Sequence, residues 1–331
     1  MAYAAGGDVF FQRFDPTGAP TGPAVLLATE GCNALDVIRA EGRWNVAWWN
    51  TDPVTGRARL RFQPVASDGS LIGAPHTFPL EGTGLIQLVH SPIGGYGVLE
   101  TPRRNYRRPF FTVLGDLTSA SLPVDVTGFD VSDAHAAGDP AGGFLVVYGG
   151  VSVRRIEPDG ALLTPPTSVH STTGTTLFHP RLVRHAGEWW VAYLERRSSS
   201  SGWQQRTMLG RGLSFTSPVV VDERPYPYSS YRSQPNQLRL VGAGPHLALA
   251  WEGWAGQIVG RRLRITPTSV APLDATATWY ELPRSNPILQ PTMDLAWASP
   301  HHLLLSWVHR PSIRDTAVPT SMALDGSGCG P

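Results

Sequence analysis

The sequence predicts an all-β fold, and three observations support that prediction. Short runs of alternating or β-branched residues recur from end to end, bounded by Gly, Pro, Asp and Ser, while helical periodicity is nearly absent. The 35 Gly and 30 Pro are spread along all 331 residues, as expected for many tight turns rather than for a disordered tract. The hydrophobic fraction of 41% is enough to bury a substantial core.

One element recurs six times: an apolar run, a turn that usually contains Gly, and a second apolar run ending near an aromatic or acidic residue. Two clear copies are LDVIRAEGRWNVAWW at 35–49 and PRLVRHAGEWWVAYLE at 180–195. This pattern predicts six antiparallel hairpins. The six second runs end, at intervals of roughly 45 to 58 residues, at Trp48, Glu100, Tyr148, Tyr193, Trp251 and Trp307.

Each hairpin is followed by a third run and a fourth run. Examples are ARLRFQPV at 58–65 and HTFPL at 76–80. The stretch RFDPTGAPTGPAVLL at 13–27 has the same form, with an Asp- and Gly-containing turn between the two runs. Four strands per unit, repeated about six times, predict a β-propeller with four-stranded blades.

The ends of the chain decide the expected number of blades. We expect six blades in a single domain over 1–331, with the last blade shared between about 1–30 and about 288–328. Seven blades is the alternative, because TSMALDGSG at 320–328 also has the form of a third strand and competes with DVFFQRF at 8–14. A pair of β-sandwiches is the main alternative fold, against which the near-regular spacing argues.

The repeat resembles the β-propeller repeats of bacterial extracellular proteins over almost the whole chain. The resemblance is one of fold and indicates no specific family. The sialidase-type Asp box, the Trp-Asp propeller signature and the GxSxG, HExxH and P-loop motifs are absent from the sequence.

Composition excludes several classes of function. The sequence contains no Lys, which excludes a Schiff-base lysine and a P-loop lysine. A net charge of +1 favours neither nucleic acid nor an anionic membrane as a partner. No apolar run approaches the ~18 residues of a membrane-spanning helix. We expect the protein to be a monomer and its partner to be a glycan or a small anionic ligand.

The N-terminal segment and the two cysteines leave alternatives open. The start MAYAAGGDVFF has no basic region followed by an apolar region, so either the protein is intracellular or a leader precedes this sequence. Low charge and many Trp favour a secreted or periplasmic protein, and a cytoplasmic one stays open. Cys32 and Cys329 either form a disulfide that closes a very large loop or remain free thiols. Two cysteines without a His cluster make no zinc site.

The first strand of each propeller blade lines the central channel, and propeller ligands usually bind at the rim where these strands begin. Aligning the six predicted first strands gives one polar position in each blade. These positions are Asp36, Gln87, Ser132, Arg181, Arg239 and Asp294. By strand alternation the residues two places earlier face the same side, among them Asp130, His179 and Gln237.

These inner positions divide into a basic side and an acidic side. Arg181 and Arg239 would bind a carboxylate or sulfate in bidentate fashion. Asp36, Asp294 or His179 would supply general acid or base chemistry. The alternative is that the charges pair with one another and with channel water. No cofactor is expected, although Asp36, Asp294 and Asp130 have the oxygen ligands that a channel Ca²⁺ would need.

Loops predicted on the same rim add Arg and aromatic residues. Such residues suit sugar faces, anionic glycans and peptides, and their alternative role is packing between blades. The longest of these loops, at 222–236, contributes three tyrosines. The candidate ligand-binding residues on the rim are Arg104, Trp203, Trp254, Tyr226, Tyr228 and Tyr231.

The inner positions differ from blade to blade, whereas a lectin propeller would repeat its site in every blade. This asymmetry predicts a single site at the channel mouth that binds a carbohydrate or another anionic ligand. The second hypothesis is a carbohydrate-active enzyme at the same site, either a hydrolase using Asp36 and Asp294 or a lyase using Arg181, Arg239 and His179. The third hypothesis is a protein-interaction scaffold.

Overall fold

The computed structural model confirms the predicted all-β class. The secondary-structure elements named in the described residues are all β-strands. No helix long and apolar enough to span a membrane is found in this part of the chain. The described residues are 1–15, 19–81, 84–101, 108–117, 120–128, 131, 133–168, 175–199, 202–213, 217–226, 237–252, 257–281, 292–299, 302–309 and 318–325.

The chain divides into two compact units. The first comprises Met1–Phe14 and Pro20–Thr167, and the second comprises Asp15–Ala19 and Ser168–Pro331. Each unit consists of antiparallel sheets that follow one another in chain order.

The described residues of the first unit form four sheets, each made of strands in sequence order. The N-terminal sheet has three strands: β1 (Ala2–Ala5), β2 (Asp8–Phe11) and β3 (Val25–Ala28). The other three sheets have four strands each. They are β4 (Ala34–Ala40), β5 (Arg43–Thr51), β6 (Ala58–Val65) and β7 (His76–Pro79); β8 (Leu85–Ser91), β9 (Gly95–Thr101), β10 (Phe110–Gly115) and β11 (Val124–Asp125); and β12 (Ala134–Gly138), β13 (Phe144–Tyr148), β14 (Ser152–Ile156) and β15 (Leu162–Ser168).

The second unit contains three sheets within the described residues. In the middle sheet both β23 and β24 pair with β22. The strands are β16 (Thr175–His185), β17 (Glu188–Ser199), β18 (Gly202–Arg211) and β19 (Val219–Tyr226); β20 (Leu238–Ala243), β21 (His246–Glu252), β22 (Gln257–Ile265), β23 (Val270–Pro272) and β24 (Ala277–Glu281); and β25 (Thr292–Ser299), β26 (His302–His309) and β27 (Val318–Asp325).

All six predicted hairpins are confirmed. They are the antiparallel pairs β4–β5, β8–β9, β12–β13, β16–β17, β20–β21 and β25–β26. The third strand predicted at 58–65 is β6, with the same bounds. Trp48, Tyr193 and Trp251, three of the residues at which the second runs end, are fully buried. Period-two alternation and turn residues were therefore sufficient to locate the strands.

The pairing at the two ends of the chain bears on the number of blades. Strand β27 pairs with β26, so the segment at 318–325 is the third strand of the C-terminal sheet. Strand β2 pairs with β1 and β3. The described residues thus form seven sheets, of which the two terminal ones are three-stranded. Six blades, a shared last blade and a single domain stay predictions.

Within each unit, apolar cores form between consecutive sheets, whose first strands lie side by side. One core joins the β4–β7 and β8–β11 sheets, a second joins β8–β11 to β12–β15, and a third joins β16–β19 to β20–β24. Gly138 of β12 shows how close this approach is, because a Cβ atom there would overlap the carbonyl of His90 in β8. First strands in such close contact are well placed to exchange hydrogen bonds between sheets.

A buried histidine lies between β16 and β20 in the second unit. The ring of His185 is only 6% exposed and rests against Gly242, where a Cβ atom would overlap it. Burial, and to a smaller extent the nearby His246, lowers the pKa of His185. The Nε2 atom of His185 has no hydrogen-bond partner within the described residues, so the ring is accommodated in its neutral form.

The buried His185 leads us to predict that the free energy of unfolding of the second unit decreases at acidic pH. Because the folded-state pKa of His185 lies below the unfolded value of about 6.5, the unfolded chain binds the proton more readily and stability falls as the pH drops below that value. We expect His185→Leu to lose less stability than the wild type between about pH 7.5 and about pH 5.5, measured by urea unfolding. His76→Leu, in the other unit, is the control. Parallel pH profiles for the wild type and His185→Leu would contradict this interpretation.

Candidate ligand-binding site

The strand register gives one corresponding residue in each first strand, at the position predicted to be inner. In five sheets one residue of the first strand pairs with the residue that ends the second run, as Leu35 pairs with Trp48 and Ala134 with Tyr148. The inner residue is the next residue along the first strand. The rule gives His135 as the inner residue of β12, whereas the predicted Ser132 lies outside the described residues. Counting back about 13 residues from the run end, as in the other blades, would have found His135 in the sequence. The inner residues are Asp36, Gln87, His135, Arg181, Arg239 and Asp294.

In the first unit the inner residues connect consecutive first strands. Asp36 Oδ2 accepts a hydrogen bond of 2.7 Å from Leu88 N in β8, and its Oδ1 accepts one of 2.8 Å from Val37 N. Gln87 bonds both backbone groups of Ala136 in β12, accepting from N at 2.8 Å and donating to O at 3.0 Å. Its amide nitrogen also lies 3.0 Å from His135 Nε2. These side chains are therefore engaged in holding neighbouring sheets together.

In the second unit the inner residues of β16 and β20 are arginines, and Arg181 serves the same purpose as Asp36 and Gln87. Arg181 is buried, and it donates from Nε to Leu238 O in β20 at 2.8 Å and from a terminal nitrogen to Pro180 O at 2.7 Å. Arg239 lies 3.4 Å, Nε to Oδ1, from Asp294 in β25. Gln237, two residues before Arg239, accepts a bond of 2.8 Å from Met293 N. Each first strand is again joined to the next.

The two arginines converge on one carbonyl oxygen. Leu238 O accepts from Arg181 Nε at 2.8 Å and from Arg239 at 3.1 Å. Because the two bonds share an acceptor, the two guanidinium groups lie within a few ångströms of each other. Asp294, which lies beside Arg239, is 69% exposed and also accepts a bond from its neighbour Leu295 N at 2.9 Å. The result is a concentration of positive charge with a loosely held carboxylate beside it.

His179 occupies a β-bulge near the middle of β16. The register with β17 shifts between Phe178 and Arg181, so that His179 and Pro180 together oppose Tyr193. His179 has a φ of 54°, in the left-handed region that non-glycine residues rarely adopt. The bulge corrects the prediction from simple alternation, because Phe178, and not His179, shares the face of Arg181. A role for His179 in chemistry stays a prediction.

The rim residues are only partly described. Trp203 is half-buried in β18, and in the register it opposes Tyr226 of β19. The remaining rim candidates and one cysteine lie outside the described residues: Asp130, Arg104, Tyr228, Tyr231, Trp254 and Cys329. Within the described part of the chain, no group of three His, Cys, Asp or Glu residues could hold a metal ion.

Sequence reasoning missed several residues near Arg181. Arg196 of β17 stacks on Phe178, with its Cζ atom 4.4 Å from the ring centroid. Glu195, almost fully buried, faces Arg206 of β18, which is paired at 3.0 Å with Glu223 of β19. Burial raises the pKa of Tyr193, opposite the bulge, so its hydroxyl stays protonated at neutral pH and is a poor general base. No local motif marks these residues, because they meet only through strand pairing.

Comparison with known proteins gives no family. No protein-family model and no curated protein matches the sequence. Among solved structures, one of a protein of unknown function from Dyadobacter fermentans has a TM-score of 0.51 and 10% identity, and the match covers 88% of this chain and 94% of that one. This similarity shows a shared fold alone.

Two further solved structures resemble the chain more weakly. A polysaccharide lyase described as an ulvan lyase of family PL25 has a TM-score of 0.49 at 11% identity, covering 88% of this chain and 80% of that one. A GH43 endo-arabinanase from Bacillus licheniformis has a TM-score of 0.38 at 12% identity, covering 71% and 94%.

The bond pattern predicts that Gln87 contributes to stability. Gln87→Leu would leave both backbone groups of Ala136 without this partner, and an unsatisfied buried group costs about 1–3 kcal/mol. We expect a loss of this size in the free energy of unfolding, measured by urea denaturation. Gln204→Leu is the matched control, because Gln204 Oε1 has no hydrogen-bond partner within the described residues. Equal stability of the two variants would show that the Gln87 bonds do not join the sheets.

Proposed function

We propose that this protein binds an anionic carbohydrate beside Arg181 in β16 and the N-terminal ends of β20 and β25, with Arg239 as the residue that contacts the anion. The observation that supports the proposal is the convergence of Arg181 and Arg239 on the carbonyl of Leu238. Two cations held this close repel one another, and an anionic ligand relieves that repulsion.

The two arginines have different degrees of access. Arg181 is 7% exposed and bound to two backbone carbonyls, so its guanidinium is fixed in position. It would attract an anion bound at Arg239 by its charge, without contacting it. Arg239 is 27% exposed, and of its nitrogens one donates to Leu238 O while Nε faces Asp294. Its other terminal nitrogen has no hydrogen-bond partner within the described residues. The guanidinium therefore has donors left for a carboxylate or sulfate.

The aspartate beside Arg239 is a weak competitor for these donors. The Arg239–Asp294 distance of 3.4 Å exceeds the 2.7–2.9 Å typical of a strong charge-assisted hydrogen bond. An exposed pair of this kind contributes little to stability. A ligand carboxylate can therefore replace Asp294 at small cost, and the displaced Asp294 is then available to accept a hydrogen bond from a sugar hydroxyl.

A second candidate function, a carbohydrate-active enzyme at the same site, is favoured by His179. Its left-handed backbone in a bulge next to the arginines is the kind of local strain that occurs at active sites. Because the bulge places His179 on the face opposite Arg181, the exposed carboxylate of Asp294 would supply the general acid or base chemistry. Assaying mixtures of protein and acidic polysaccharide for new reducing ends separates an enzyme from a binding module.

The proposal predicts a large effect of removing Arg239. We expect Arg239→Ala to weaken binding of galacturonate oligosaccharides about 10- to 100-fold, because a hydrogen bond to a charged group contributes about 1.5–3 kcal/mol. Isothermal titration calorimetry at low salt measures this. Arg264→Ala is the matched control, since Arg264 is exposed on β22 of the same unit. Equal affinities of the two variants would refute the assignment of the site to Arg239.

A further inference from the structure

The N-terminal sheet corresponds to the last three strands of the four-stranded sheet that follows it. Gln12, just after β2, and Gln63 in β6 are both buried and make the same bonds. Each donates from Nε2 to the carbonyl of the next residue and to that of a glycine further on, Gly22 or Gly73. Strands β3 and β7 begin equally far along the chain from these glutamines. Strands β2 and β3 therefore correspond to β6 and β7, and β1 corresponds to β5, a second strand.

In the described part of the chain, no first strand pairs with β1. The order of the sheet is β1–β2–β3, so β1 is an edge strand. In the other three sheets of this unit the second strand pairs with a first strand: β5 with β4, β9 with β8 and β13 with β12. Strand β1 lies beside β4 of the next sheet, as β5 lies beside β8. The free edge of β1 is thus the place that a first strand occupies in the neighbouring sheets.

The free edge offers the backbone groups of two alanines. Gln12 N donates to Met1 O and Met1 N donates to Gln12 O, each at 2.9 Å, so these two residues are a hydrogen-bonded pair of the β1–β2 ladder. Bonded and non-bonded pairs alternate in an antiparallel ladder, so Ala2 and Ala4 direct their N–H and C=O groups away from β2. Within the described residues these groups have no hydrogen-bond partner. The edge therefore presents two donors and two acceptors at the spacing of a β-strand.

Nothing in the sequence of β1 protects this edge from pairing. Proteins usually protect edge strands with charged residues, Pro or a bulge, and AYAA has none of these. The edge strands of other sheets do have them: β7 ends in Pro79, β15 contains Pro165 and Pro166, and β19 has three consecutive charged residues at 222–224. Ala4 is exposed, so a second strand can approach it.

An apolar surface of β4 accompanies the free edge. Leu35 and Val37 face the N-terminal sheet and are only half-buried. Their counterparts in β8, by the register with the second strands, are Ile86 and Leu88, which are 8% and 2% exposed. These two residues are buried because a first strand lies against them, and they share a core with Ala34 of β4. A strand added to β1 would cover Leu35 and Val37 in the same way.

We propose that the free edge of β1 binds an extended peptide segment of a partner protein, which adds to the N-terminal sheet as its first strand. The backbone of Ala2 and Ala4 would bond the segment, and apolar side chains at alternate positions of the segment would pack on Leu35 and Val37. An extended peptide fits because the edge offers backbone donors and acceptors and no charged side chain. This interaction is independent of the site at Arg239.

A labelled peptide with the sequence of residues 33–41 is the probe, because β4 fills the equivalent place in the next sheet. We expect it to bind the wild type, measured by fluorescence anisotropy, and to protect the amides of Ala2 and Ala4 from hydrogen exchange. The same peptide N-methylated at alternate residues lacks the donors that would face β1. It should bind about tenfold more weakly or worse. This comparison leaves the protein unchanged.

Substitution of Ala4 tests the same edge from the protein side. Pro at this position removes an N–H that the ladder with β2 does not use, and its ring blocks the approach of a second strand. We expect Ala4→Pro to bind the peptide about tenfold more weakly or worse, and the matched control Ala4→Val to bind it as the wild type does. Arg239→Ala should also bind the peptide normally, because Arg239 belongs to the other unit.

Three results would overturn the inference. If the N-methylated peptide binds as tightly as the unmodified one, the peptide does not add as a strand. If light scattering shows a wild-type dimer that Ala4→Pro converts to a monomer, a second copy of the chain covers the edge. If the amides of Ala2 and Ala4 exchange slowly in the monomer without peptide, the protein's own chain covers it. If Ala4→Pro fails to fold, the comparison of the two peptides decides the outcome.

Discussion

The bonds from the inner residue of one first strand to the backbone of the next are the interaction on which the arrangement of the sheets depends. Asp36 reaches Leu88, Gln87 reaches Ala136, and Arg181 reaches Leu238. Apolar cores hold consecutive sheets together but are tolerant of small shifts, whereas a hydrogen bond fixes one strand against the next to a fraction of an ångström. The inner residues thus set the register between sheets.

The same interaction generates the candidate site. In the first unit the bonding residues are a carboxylate and an amide, and in the second they are Arg181 and the amide of Gln237, beside which Arg239 pairs with Asp294. A guanidinium has five donors, so it can bond a neighbouring strand and still have donors for a ligand. Because Arg181 and Arg239 use the same carbonyl, the structural bonds themselves bring two positive charges together. The site at Arg239 is a consequence of how the sheets are joined.

The sequence predicted the strands better than it predicted the site. Alternation and turn residues located all six hairpins, since both are local properties. His135 was missed because the longer turn of that hairpin shifted the alignment, and alternation cannot reveal the bulge at His179. The shared carbonyl of Leu238 and the stacking of Arg196 on Phe178 join residues far apart in sequence, where no local pattern exists. Blade number, ring closure, secretion and a monomeric state stay predictions.

A crystal structure of the protein with a bound galacturonate oligosaccharide would test the role of the paired arginines most directly. We expect a sugar carboxylate within about 3 Å of the Arg239 guanidinium, Asp294 turned away from it, and Arg181 still bonded to Leu238 O. An oligosaccharide bound elsewhere, with the Arg239–Asp294 pair unchanged, would show that the two arginines serve only to join the strands.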